Sequence, residues 1–164
     1  MIYIYLIMDK KNAYFLSFFI MLFVLFVPTV VTMKKVTSTW YKCIRPSLSP
    51  PNYVFPIVWT FLYIMIGFAL AQTFMLQESI DKNILLYLYG YNLLLNMLWS
   101  FAYFGTENVN LAFIILLATI VSAAFILYYT WILLPVSVFY ILVPYMMWIC
   151  FAGLLNFLSL GKKC

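Results

Sequence analysis

Apolar residues run along this chain in five long blocks, separated by short polar interruptions. A helix that spans a bilayer needs about 20 mostly apolar residues. Residues 12–33, 52–76, 84–104, 109–131 and 135–160 meet that length. Between them lie 34–51, 77–83, 105–108 and a very short turn at 133–134. A membrane β-barrel alternates apolar and polar positions in short segments. These blocks are long and apolar on every side. The pattern therefore predicts an all-α membrane protein, a bundle of five transmembrane helices making one domain over residues 1–164.

Composition supports this reading. Of the 164 residues, 68% are hydrophobic and 8% are charged, against about 45–50% and 25% in soluble domains. Nine basic and four acidic residues leave a net charge of +5. The basic residues sit in short clusters beside the apolar blocks, which marks juxtamembrane charge and argues against nucleic-acid binding. Lys10, Lys11 and Lys82 fall on one side of a five-span chain; Lys34, Lys35, Lys42, Arg45, Lys162 and Lys163 fall on the other. The positive-inside rule then puts the first loop and the C-terminus in the cytoplasm. The first block is longer than a signal-peptide core and no small-x-small site follows, so it is expected to remain as a span. A start at Met8 would make the first seven residues dispensable.

Chemistry inside the spans is mild. There is no histidine, and Cys43, Cys150 and Cys164 form an odd, scattered set with no disulfide framework and no CxxC metal pair. Cys150 reads as a small apolar residue in a helix, and Cys164 lacks the pattern for prenylation. All charged residues are expected outside the spans, which argues against proton- or ion-coupled transport. What lies deep is aromatic or amide. Asn92, Asn96, Trp99 and Tyr103 share one face of the third helix. Pro56, Trp59, Tyr63 and Gly67 share one face of the second, and Pro144, Trp148, Ala152 and Asn156 one face of the fifth. Such stripes serve helix packing or line a pocket with a few placed polar groups; spacing alone leaves both open. Trp40 and Trp131 read as interfacial anchors. In the first loop, three prolines within Pro46-Ser47-Leu48-Ser49-Pro50-Pro51 make a stiff segment. It is either a tight return into the membrane or a lid over a cavity.

These residues resemble the translocator protein family, also called the tryptophan-rich sensory protein or TspO/MBR family. Its first loop and second helix read WY…KPSxxPPxWVFGPVWTxLYxxMG; here Trp40-Tyr41 is followed by RPSLSPPNYVFPIVWTFLYIMIG, ending at Gly67. Its third helix ends LNxxWSxxFFG, matched by Leu95-Asn96, Trp99-Ser100 and Phe104-Gly105. Its fifth carries VPYLxWxxFAxxLN, matched by Val143-Pro144-Tyr145, Trp148, Phe151-Ala152 and Leu155-Asn156. Three blocks in order, across 34–158, make the resemblance specific. Departures are Pro56-Ile57 in place of Gly-Pro, Tyr53 and Leu111 in place of tryptophans, and the absence of tyrosine at Phe157 or Leu158. The last breaks the family's sterol-recognition pattern and discounts cholesterol.

The resemblance implies a five-helix bundle, often a homodimer, with a cavity capped by the first loop. It also implies a porphyrin or another rigid apolar small molecule as ligand, a sterol being discounted as above. No cofactor is required; porphyrin enters as ligand. Expected ligand-binding residues are Pro56, Trp59, Tyr63, Asn92, Asn96, Trp99, Trp148 and Ala152. No residue is expected to be catalytic unless the protein promotes photo-oxidative porphyrin breakdown, in which case Trp59 and Trp148 carry it. Binding and sensing is the leading expectation, with degradation and transport as alternatives. A basic, lysine-ended chain fits a bacterial inner membrane better than a mitochondrial outer membrane.

Overall fold

The computed structural model describes residues 8–163; the expectations about the first seven residues and Cys164 lie outside the described residues. It contains five helices long and apolar enough to cross a membrane, as expected of a multi-pass membrane protein. They are α1 (Lys10–Lys35), α3 (Val54–Phe74), α4 (Ile80–Ser100), α5 (Val109–Leu133) and α6 (Val136–Phe157); a short α2 (Thr39–Ile44) lies in the first loop. Each start has a local cause. The side chains of Asp9, Ser38, Ser79 and Asn108 accept from the backbone N–H groups of Lys11, Tyr41, Lys82 and Leu111, capping α1, α2, α4 and α5. Pro135 precedes α6, where no N–H is needed. Pro56 falls in the first turn of α3, where it breaks no helical hydrogen bond.

The spans pack in a closed ring, in the order α1, α3, α6, α5, α4 and back to α1. One end of the bundle carries the first loop, the turn between α4 and α5, and the C-terminal segment; Lys162 Nζ donates to the carbonyls of Ile44 and Arg45 there, at 3.1 and 3.2 Å. At this loop end Lys35 also pairs with Glu107 at 2.6 Å. The other half of the ring is solid. Met21, Ile66, Leu70, Leu85, Leu142 and Ile149 fill it, and α1 meets α3 so closely at Gly67 that a Cβ there would lie 2.9 Å from Met21 Cγ. Glycine at that point permits the contact, since in lipid helices associate by close packing and interhelical hydrogen bonds.

Three expectations change. α4 begins four residues earlier than the apolar block, because Ser79 caps it and carries Asp81 and Lys82 into its first turn. Lys82 is buried there, donating to the Leu76 carbonyl at 2.8 Å and pairing with Glu78 at 2.6 Å. Charge is thus excluded from helix interiors but not from helix ends, where Lys10, Lys11, Lys34 and Lys35 also lie. Second, Cys43 is disulfide-bonded, so the scattered spacing was no guide to its state; Cys150 is a free thiol on α6. Third, Trp40 is more than an interfacial anchor. Its ring packs edge-on against Tyr103 at 5.6 Å, whereas Trp131 is exposed against Phe139.

Candidate functional site

The loop half of the ring is hollow. A cavity of about 260 Å³ lies among α1, α3, α4 and α6, beneath the first loop, and α5 contributes nothing to its wall. Two features of the helices open this space. Pro28 interrupts α1 beside it; proline has no N–H to give the Val24 carbonyl one turn back. α4 passes into a π-helical turn at Phe101–Gly105, a wider winding common at functional positions. That turn aims Tyr103 and Phe104 at the cavity together with Trp99.

Six of the eight expected site residues meet here: Pro56, Trp59 and Tyr63 from α3, Asn96 and Trp99 from α4, and Ala152 from α6. The indoles are held by stacking and hydrogen bonds. Trp59 stacks on Tyr63 with centroids 5.3 Å apart and 28° between planes, and meets Tyr145 edge-on at 6.4 Å. Trp99 stacks on Tyr103 at 5.2 Å, and its Nε1 donates to Asn156 Oδ1 at 2.9 Å. Asn156 in turn donates to the Val109 carbonyl at 3.1 Å, which ties α6 to the start of α5.

Asn92 and Trp148 lie outside the cavity wall. Asn92 is buried between helices. Its Nδ2 donates to the Thr119 carbonyl at 3.0 Å and to Ser122 Oγ at 2.7 Å, and its Oδ1 accepts from the Tyr145 hydroxyl. Asn96, one turn on, donates to the Tyr145 hydroxyl at 2.8 Å and to Asn92 Oδ1 at 3.2 Å. Its own Oδ1 has no partner among the described residues, and the residue lines the cavity. The two amides therefore divide their work. Asn92 joins α4, α5 and α6, while Asn96 offers an acceptor to whatever enters. Trp148 packs between Phe55 at 5.8 Å and Phe151 at 5.7 Å, and its buried Nε1 has no hydrogen-bond partner among the described residues.

Other wall residues carry no strong signal in the sequence. α1 supplies Val24, Leu25, Pro28, Thr29, Thr32 and Met33. The two threonine hydroxyls turn back to the carbonyls of Leu25 and Pro28, at 2.6 and 3.0 Å, and so present their methyl groups. The loop supplies Tyr41, Arg45, Pro46, Ser49 and Asn52. Arg45 Nη2 donates to the carbonyls of Ser49 and Pro50, folding the proline-rich segment over the opening. Burial pushes the Tyr41 phenol above its ordinary range, and the neighbouring Arg45 charge pulls it only partly back. Chemically this is an aromatic-walled chamber with the Asn96 amide oxygen, unpartnered among the described residues, inside it and one guanidinium at its mouth.

The chain is similar to several characterised proteins. It is 35% identical to the tryptophan-rich protein TspO of Chlorobaculum tepidum, with 73% of this chain and 77% of that one aligned. It is 31% identical to the protein CrtK of Rhodobacter capsulatus, over 77% and 82%, and 30% identical to the translocator protein of Bos taurus, over 72% and 71%. The sequence model of the TspO/MBR family matches residues 17–159, nearly the whole of the ring and its lid, and the chain belongs to that family.

Proposed function

We propose that the protein is a membrane receptor that binds a flat, rigid, apolar ligand of the tetrapyrrole type in the loop-end cavity. The observation that carries this reading is the pair of indoles, Trp59 and Trp99, each stacked on a tyrosine and both lining one cavity. Aromatic contacts of this kind contribute about 0.5–1.5 kcal/mol each beyond area burial. Asn96 Oδ1 supplies a polar contact for a ligand edge. The cavity of about 260 Å³ falls just below the roughly 300–1,000 Å³ usual for ligand sites. A whole macrocycle therefore enters by displacing the loop, or leaves part of its ring at the exposed edge formed by Met33, Asn52 and Pro56. A sensory role fits the names of the relatives. On the same footing we propose a bacterial inner membrane, with the first loop and C-terminal segment on the cytoplasmic side, since six of the nine basic residues gather there.

Protoporphyrin titration tests the reading by tryptophan fluorescence. Saturable quenching is expected, with apparent affinity lowered several-fold by Trp59→Phe or Trp99→Phe and changed less than twofold by Trp148→Phe. Affinity that drops for Trp148→Phe alone would move the site elsewhere. A second reading, light-dependent ligand breakdown, draws on the Trp59–Tyr63 stack and nearby Tyr145, which form a short aromatic path along which an oxidised indole could be refilled. Illumination of the complex checks it: a porphyrin absorption band that fades no faster than in protein-free micelles rules it out.

A further inference from the structure

The cavity wall contains one ionisable base, Arg45, and no acid. A cation beside so much apolar surface ordinarily has a counter-ion. Arg45 has none among the described residues. The one acid described at the loop end, Glu107, is taken by Lys35 at 2.6 Å; Glu78 belongs to Lys82 at the opposite end, where Asp9, the cap of α1, and Asp81, in the first turn of α4, also lie. What Arg45 does have is neutral. Nη2 donates to the carbonyls of Ser49 and Pro50, and the guanidinium carbon stands 6.0 Å from the Tyr41 ring centre. Its Nη1 and Nε donate to nothing among the described residues. The surroundings add positive charge rather than relieve it, since Lys34, Lys42 and Lys163 are exposed on the same face.

From this we infer that Arg45 is an oxyanion site at the mouth of the cavity, and that the ligand carries an acidic group, a carboxylate or phosphate, at the end that faces the loop. The inference rests on the ligand-binding reading above and narrows it to amphipathic acids. A guanidinium held by two carbonyls through Nη2 is pre-oriented, and its Nε and Nη1 remain to donate single charge-assisted hydrogen bonds to the oxygens of a carboxylate or phosphate. The deep end complements it. Tyr63 is buried, lines the cavity, and its hydroxyl has no hydrogen-bond partner among the described residues; with Asn96 Oδ1 it offers a donor and an acceptor to an uncharged polar edge. The chamber thus reads a molecule that is ionised at one end, apolar in the middle and neutral-polar at the other.

The test compares protoporphyrin IX with its dimethyl ester, which keeps the ring and loses the charge, in nanodiscs of phosphatidylcholine, by tryptophan quenching. The acid is expected to bind about five- to tenfold more tightly, the scale of one charge-assisted contact at a half-exposed site, and this advantage should shrink as salt is raised. Arg45→Gln should remove the advantage by weakening the acid alone, and Arg45→Lys should keep part of it. A purely structural arginine, one that only ties the loop, would weaken acid and ester together; that result overturns the inference while leaving the ligand reading intact, as does equal binding of the two by the unmodified protein. If neither porphyrin quenches, the ligand reading itself fails and takes the inference with it. Discs containing phosphatidylglycerol separate two sources of the oxyanion. A lipid phosphate that occupies Arg45 lowers the acid's advantage there, and a site reserved for the ligand's own carboxylate keeps it unchanged; either outcome supports an oxyanion site.

Discussion

Asn92 and Asn96 stand one helical turn apart and carry the same side chain, yet the structure assigns them different consequences. Asn92→Leu keeps the number of side-chain heavy atoms and the branching, and removes three interhelical hydrogen bonds, to the Thr119 carbonyl, to Ser122 Oγ and from the Tyr145 hydroxyl. Such bonds in bilayer proteins contribute about 0.6 kcal/mol on average and up to about 1.7, so three amount to about 2 kcal/mol. Ser122 retains its own bond to the Thr119 carbonyl at 2.9 Å, which keeps the loss from running higher. Asn96→Leu removes a single interhelical bond, that to Tyr145, or about 0.6 kcal/mol, but it replaces an oxygen in the cavity wall by methyl groups. Reversible unfolding in mixed micelles with increasing dodecyl sulfate, followed by circular dichroism, gives the first quantity; protoporphyrin quenching gives the second. Asn92→Leu should lose the more stability with binding unchanged, and Asn96→Leu the less stability with binding altered. The division of labour is refuted if Asn96→Leu is the more destabilising, or if Asn92→Leu alters binding while the unfolding curve stays in place.

Two further outcomes follow from other parts of the ring. Gly67→Ala should destabilise by about 0–2 kcal/mol, the overpacking at Met21 of about 1–3 kcal/mol outweighing a helix-propensity gain near 1 kcal/mol. Met21→Ala in the same chain should show coupling of about 1 kcal/mol, and strictly additive unfolding energies would contradict the close contact. The raised pKa of Tyr41 makes the loop sensitive to alkali: the neutral phenol's contribution is fully present below the ordinary tyrosine pKa of about 10 and is lost as pH rises through the higher folded value. Proteolysis of the first loop should therefore accelerate above that point in the parent protein, and Tyr41→Phe should show no such acceleration.

The helices were legible because lipid demands long apolar runs, and caps such as Asp9 and Asn108 trimmed them. Their order in the ring was not legible, since every apolar face looks alike when lipid and protein interior are equally apolar. The stripes on α3, α4 and α6 did point to the cavity, because residues four apart share a face. They failed at the margins for the same reason: positions four apart drift by 40° per step, so Asn92 faces α5 while Asn96 faces the chamber, and Trp148 turns toward Phe55 while Ala152 lines the wall. α1 gave little sign of its contribution, its threonines having spent their hydroxyls on their own helix. Arg45 was visible as one more orienting charge; only the fold sets it at the rim and leaves its carbonyl-bound guanidinium without a counter-ion.

The wall that excludes α5 has an evolutionary corollary. Apart from Thr119 and Ser122, which receive Asn92, the Asn108 cap, and the Val109 carbonyl that receives Asn156, that helix is released from any duty to the guest molecule. Its outward positions are free to drift with the lipids of each host. Among homologues that share a guest, substitutions should accumulate faster along this helix than along the four that surround the chamber.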